Sequence, residues 1–185
     1  MFCGSRFGVD DRWTELAATA GRTLAEEHVT VVYGGGHVGL MGVVADAALA
    51  AGGTVVGVIP QNLVDREVDH RGLTELHVVA DMHERKALMA RRADAFMTLP
   101  GGAGTLEEVT EQWTWFQLGI HAKPSVFVDR DYWAPMVEMM DRMVTSGFVS
   151  GDDRSLPSFC DTVDEALDLL RQRHAPALFD PQDLV

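Results

Sequence analysis

Residues 95–108 read AFMTLPGGAGTLEE, and the order of residue types there decides the fold. An apolar run (Ala95, Phe96, Met97, Leu99) stops at Pro100, and glycines follow at 101, 102 and 104. Thr105, Glu107 and Glu108 then open a helical pattern. That succession is a strand, a tight glycine turn and a helix N-terminus. Unpaired N–H groups and the helix dipole make such a terminus a place for an anion, and glycine lets a phosphate approach the backbone. Two carboxylates beside an anion site repel the anion. Thr105 with Glu108 matches the S/T-x-x-E capping box, which would account for one acid. The capping box leaves the triple glycine unexplained.

The same alternation runs through the chain. Helical spacing covers 12–27, 40–51, 82–92, 105–118, 132–145 and 163–173. Apolar runs at 29–33, 54–59, 76–79, 95–98 and 125–128 read as buried strands, and Cys160 sits in a short extended piece. Strands apolar on both faces and separated by helices predict an α/β fold, a Rossmann-like doubly wound parallel sheet with helices on both faces. Ligands bind such sheets at the carboxyl ends of the strands. The first strand should be central, yet only Met1 to Cys3 precede the turn residues Gly4-Ser5-Arg6. Residues 60–75 form a polar loop, a wall or lid at the same edge. The sequence divides into one nucleotide-binding α/β domain, 1–174, and a loosely held tail, 175–185.

Bulk properties narrow the function. With 185 residues, 46% hydrophobic and 23% charged, the chain suits a single soluble domain. A net charge of -13 without a basic run argues against nucleic acid and anionic membranes as partners. Two distant cysteines, Cys3 and Cys160, give no disulfide framework and no metal spacing, and buried free thiols are expected. The seven histidines show no ligand spacing, so no metal site is expected. No apolar stretch is as long as a membrane span, and the first residues do not resemble a secretion signal. The protein reads as cytoplasmic.

Two further segments carry chemistry. Gly34, Gly35 and Gly36 begin GGGHVG, which formally satisfies G-x-G-x-x-G. No acid closes the next strand to hold a dinucleotide ribose, so a mononucleotide or sugar phosphate suits this turn better than NAD. MHERKALM at 82–89 opens a helix at the strand-end edge, with Arg85 a forked donor and Lys86 a point charge. Cations there would offset repulsion between a phosphate and the carboxylates. Trp113, Trp115, Phe116 and Leu118 read as core or subunit interface.

PGGAGTLEE at 100–108 together with MHERKALM at 82–89 resembles the signature pair of the LONELY GUY family. FCGS at 2–5, YGGGHVGLMG at 33–42, and VIP with REV (58–60, 66–68) extend the resemblance over most of the chain. It implies a Rossmann-like, usually homodimeric hydrolase without a cofactor. The implied reaction cleaves the N-glycosidic bond of N6-substituted adenosine 5'-monophosphates. It yields free base, a cytokinin or adenine, and ribose 5-phosphate. Arg85 and Glu108 would then be the catalytic pair. The turn Gly101, Gly102, Ala103, Gly104 and Thr105 would hold the phosphate, and Glu67, Lys86, Glu107 and Thr114 would line the nucleotide site. A nucleotide sensor or carrier of the same fold is the alternative, and Glu108 discriminates, because binding does not need it and hydrolysis does. The family's other label, possible lysine decarboxylase, requires a Schiff-base lysine, and only Lys86 and Lys123 exist.

Overall fold

The computed structural model describes residues 1–65 and 69–173. Helix α1 (Arg12–Glu26) is followed by β1 (Val31–Tyr33), α2 (Gly39–Ala50), β2 (Val55–Pro60) and the one-turn α3 (Gln61–Val64). Next come β3 (Glu75–Val79), α4 (Met82–Arg92), β4 (Phe96–Thr98) and α5 (Ala103–Gln117). The chain continues through β5 (Ser125–Val128), α6 (Arg130–Thr145), the short α7 (Gly151–Ser155), β6 (Pro157–Cys160) and α8 (Val163–Arg173). All strand pairs are parallel, in the orders β1-β2-β3 and β4-β5-β6.

The N-terminal residues join the two halves. Phe2 bridges to Thr98, its N–H donating to the Met97 carbonyl and its own carbonyl accepting from the Leu99 N–H, both at 2.9 Å. On the other side, the Met1 nitrogen donates to the Val32 carbonyl at 2.8 Å. The expected central first strand is therefore present as a short bridge between β1 and β4. From it the chain winds outward through β1, β2 and β3, then returns to β4 on its other side. That reversal is a topological switch point, where open α/β sheets form a crevice for ligands.

Helices cover both faces, as the apolar strand runs require. Leu24 of α1, Val44 of α2 and Leu167 of α8 pack with Val31, Val55 and Val126 in one core. Met89 of α4, Val109 of α5 and Trp133 of α6 pack with Val56, Val58 and Phe127 in the other. A satellite cluster of Trp113, Met140 and Leu156 extends the second core. Trp113 is thus core, while Leu118 at the far end of α5 is 69% exposed. Both cysteines are free and buried.

The start of α5 differs from the sequence expectation. The N-cap is Gly102, and helix begins at Ala103, two residues before the expected cap Thr105. Thr105 is 3% exposed, inside the first turn, and the capping box does not form. Glycine accepts the extended cap geometry without a side chain, which frees the N–H groups of residues 103–105.

Close approach fixes the other side of the switch point. Gly39, at the first position of α2, has φ +64°, and a Cβ there would lie 2.3 Å from the Ser5 carbonyl carbon and 2.4 Å from the Arg6 nitrogen. The turn after the N-terminal bridge is therefore seated on α2 by the missing side chain. Gly39→Ala should cost about 2 kcal/mol or more, combining left-handed strain with a backbone clash. Urea denaturation would show this as a lowered midpoint, and an unchanged midpoint would mean the turn does not press on α2.

Candidate active site

A cleft of about 690 Å³ opens at the switch point. One wall is the turn at residues 4–8 with Trp13 behind it, and the other is the α5 turn from Pro100 to Thr105 with Glu107 and Glu108. Arg85 and Met82 of α4 close the base, and Tyr132 of α6 stands at the side. The volume lies in the range of small-molecule sites. The Gly4 N–H donates to the Pro100 carbonyl at 3.1 Å, which ties the walls together. The Tyr132 hydroxyl donates to the Gly101 carbonyl and steadies the turn from outside.

The second wall presents the open N-terminus of α5 to the cleft. Gly102, Ala103 and Gly104 are exposed, and the first helical bond of α5 comes only from the Leu106 N–H to the Gly102 carbonyl, 3.0 Å. The N–H groups of residues 103–105 have no partner inside the helix.

Glu108 faces this terminus from one turn inside α5 and is only 9% exposed. Its Oε1 lies 3.2 Å from Arg85 Nη1. Burial raises the Glu108 pKa, against the opposing pull of the Arg85 guanidinium. Arg85 is 7% exposed, and its Nε donates to the Val58 carbonyl at 3.2 Å. Its tip lies against Gly34, where a Cβ would sit 1.8 Å from Nη2.

That contact reassigns the second glycine turn. Gly34, Gly35 and Gly36 do not line the cleft, although the motif suggested a phosphate cradle. The Gly35 carbonyl accepts from the His70 N–H at 2.9 Å, and the Gly36 carbonyl from the Tyr33 hydroxyl at 3.1 Å. The turn is thus bound to its own surroundings and leaves room for an arginine.

Lys86 is also placed differently from the sequence expectation. It is 5% exposed, points away from the cleft, and its Nζ donates to Glu107 and, at 3.0 Å, to Glu111. Burial pulls its pKa down, but the two carboxylates outweigh burial and the pKa stands above the ordinary lysine value. Lys86 therefore acts on the cleft through Glu107, a cleft-lining residue. Thr114 is exposed outside the cleft, its hydroxyl donating to the Thr110 carbonyl at 2.8 Å. Glu67 lies outside the described residues. Lys123 Nζ donates to the Ala90 carbonyl at 2.6 Å, so neither lysine lines the cleft.

Sequence reasoning missed the first wall as a site element. Cys3, Ser5, Arg6, Phe7 and Trp13 line it, and the signal that could have found them was the central place of the first strand. Cys3 is not a nucleophile, because burial pushes its thiol up to about 12 and keeps it protonated at neutral pH.

Fold and site together define a Rossmann-like α/β protein with an open helix N-terminus beside a buried acid. The chain matches the family described as "Possible lysine decarboxylase" over residues 41–170. It is 46% identical over 173 residues to the cytokinin riboside 5'-monophosphate phosphoribohydrolase of Rhodococcoides fascians, spanning 92% of this chain and 87% of the relative. It is 48% identical over 151 residues to cytokinin riboside 5'-monophosphate phosphoribohydrolase LOG7 of Arabidopsis thaliana, 81% of this chain and 70% of that one. The molybdenum cofactor binding protein of Rippkaea orientalis shares the fold, with a TM-score of 0.68, 17% identity, and 92% and 93% of the two chains covered. The chain belongs to the LONELY GUY family.

The Gly34–Arg85 contact yields a test. Gly34→Ala should push the guanidinium aside and weaken its hold on Glu108. The Glu108 carboxyl should then titrate at still higher pH, as read by isotope-edited infrared or NMR titration. An unmoved titration would show that the guanidinium keeps its place without that space.

Proposed function

We propose that the protein hydrolyses the N-glycosidic bond of cytokinin riboside 5'-monophosphates and related adenosine 5'-monophosphates, releasing free base and ribose 5-phosphate. The relatives' names support the reaction class. The observation that carries the reading is Glu108, buried and ion-paired one helical turn from a cradle of free N–H groups.

The spacing suits the chemistry. Four residues of helix rise about 6 Å, roughly the reach from the 5'-phosphate of a ribose to its C1'. A phosphate seated on the N–H groups of residues 103–105 leaves C1' beside Glu108. Breaking the C1'–N9 bond develops oxocarbenium character on the sugar. A carboxylate stabilises that charge and takes a proton from water as its oxygen bonds to C1', while the departing base gains a proton. Arg85 orients Glu108 and keeps it ionised. Lys86 fixes Glu107 at the same edge, and Glu67 keeps the role the resemblance implies, whereas Thr114 stands outside this cleft. Binding of the remote phosphate holds the sugar in place for the reaction, so it contributes to turnover as well as affinity.

The reading extends to a homodimer in the cytoplasm. A second copy would cover apolar surface at Leu106 and Leu118, 41% and 69% exposed at the two ends of α5. Decarboxylation through pyridoxal phosphate has no support in the cleft, since Lys86 is bound to two carboxylates and Lys123 to a carbonyl.

Incubation with isopentenyladenosine monophosphate and with AMP should release free base. Glu108→Gln should lower kcat at least about a hundredfold while leaving thermal stabilisation by AMP in place. Normal turnover by that variant would overturn the assignment, and stabilisation without base release by the native protein would identify a binding module. The pH profile should have an acid limb set by Glu108. Activity needs the ionised carboxylate, and burial raises its pKa, so activity should be lost as pH falls through a value above the ordinary glutamate pKa of about 4.3. Replacing Arg85 by Met should move that limb to still higher pH.

A further inference from the structure

We propose that Arg6 is the cation that binds the substrate phosphate from the wall opposite the helix N-terminus. The proposal rests on the hydrolase reading above and adds a residue to its site.

A phosphate dianion seated at residues 102–105 shares the cleft with Glu107 and Glu108, in a protein of net charge -13. Both acids repel it, and partial helix charge alone is a weak counterweight. The cleft is lined by two cationic side chains, Arg6 and Arg85. Arg85 is committed, with Nη1 on Glu108 and Nε on the Val58 carbonyl. Lys86, next to Arg85 on α4, is committed to Glu107 and Glu111. Arg6 is exposed, and among the described residues no carboxylate lies within ion-pair distance of it.

The backbone beneath Arg6 is fixed in place. The Gly4 N–H is bonded to the Pro100 carbonyl of the facing turn. Gly39 seats the Ser5–Arg6 peptide on α2. A guanidinium carried on that turn can close over a phosphate with a forked pair of bonds, while the α5 amides hold it from the other side. The same contact would make Arg6 a specificity residue, favouring monophosphates over the corresponding ribosides.

The test compares native protein, Arg6→Ala and Arg6→Lys on AMP-type monophosphates and on the same ribosides without phosphate. Arg6→Ala should raise KM for the monophosphate at least about tenfold and lower kcat as well, because the phosphate contact also positions the sugar. Arg6→Lys should recover part of the loss. The loss on the riboside should be far smaller than on the monophosphate, so the preference for monophosphate shrinks in Arg6→Ala. An unchanged KM, or an equal loss on riboside and monophosphate, would overturn the proposal. Calorimetric titration with AMP reads the contact without turnover. A native protein that binds AMP but releases no base would refute the hydrolase reading, and a tenfold weaker Kd in Arg6→Ala would still support the phosphate contact. An unchanged Kd would refute the contact whichever way the hydrolase assay falls.

Discussion

Everything at the cleft depends on the ion pair between Arg85 and Glu108, which brings two desolvated charges together across the switch point. Arg85 belongs to the helix after β3, and Glu108 to the helix after β4, so each side chain arrives from a different half of the sheet. A buried pair is expensive to desolvate and is tolerated when its remaining donors and acceptors are met. Here the Val58 carbonyl meets one donor of Arg85. The absence of a side chain at Gly34 supplies the space for its tip. The outcome is a carboxylate held charged but poorly hydrated, the state in which it interacts most strongly with a cationic sugar.

The distribution of positive charge follows from the same constraint. An acidic protein that binds an anion must place its few cations carefully. Lys86 is spent on two carboxylates of α5. It turns the outer edge of that helix from strongly repulsive to mildly so, without entering the cleft. In the proposed reaction, capture of a dianion is left to main-chain amides and to the guanidinium on the facing wall.

Much of this was legible in the residues themselves. Continuous apolar strands and alternating helical patterns specified a parallel sheet covered on both faces, and the glycines at 101, 102 and 104 marked a helix N-terminus at its edge. Arg85 and Glu108 were paired only by the family resemblance, since a basic helix face and a capping box would each have explained one of them. Where local rules and structure differ, either adjacent backbone geometry or a contact distant in sequence decides. Thr105 looked like a cap, but Gly102 accepts the cap geometry and draws Thr105 into the first turn. Gly34 to Gly36 looked like a phosphate cradle, but Arg85 occupies the space they leave. The first wall of the cleft was hidden because Arg6 to Trp13 carry no motif and acquire a place at the site only where the N-terminal bridge meets β4. The short α7 was missed because five residues hold too little periodicity to be read.

That bridge also bears on the order in which the molecule can be made. Phe2 is synthesised long before Met97 and Leu99 and finds them only after β4 has emerged. Until then the half containing β1 to β3 has an uncovered inner edge. Contacts this remote in sequence close slowly, and an open parallel edge invites mispairing. The seam that holds the chemistry therefore closes only once β4 has emerged, and a nascent chain stalled short of β4 would have neither cleft nor central strand.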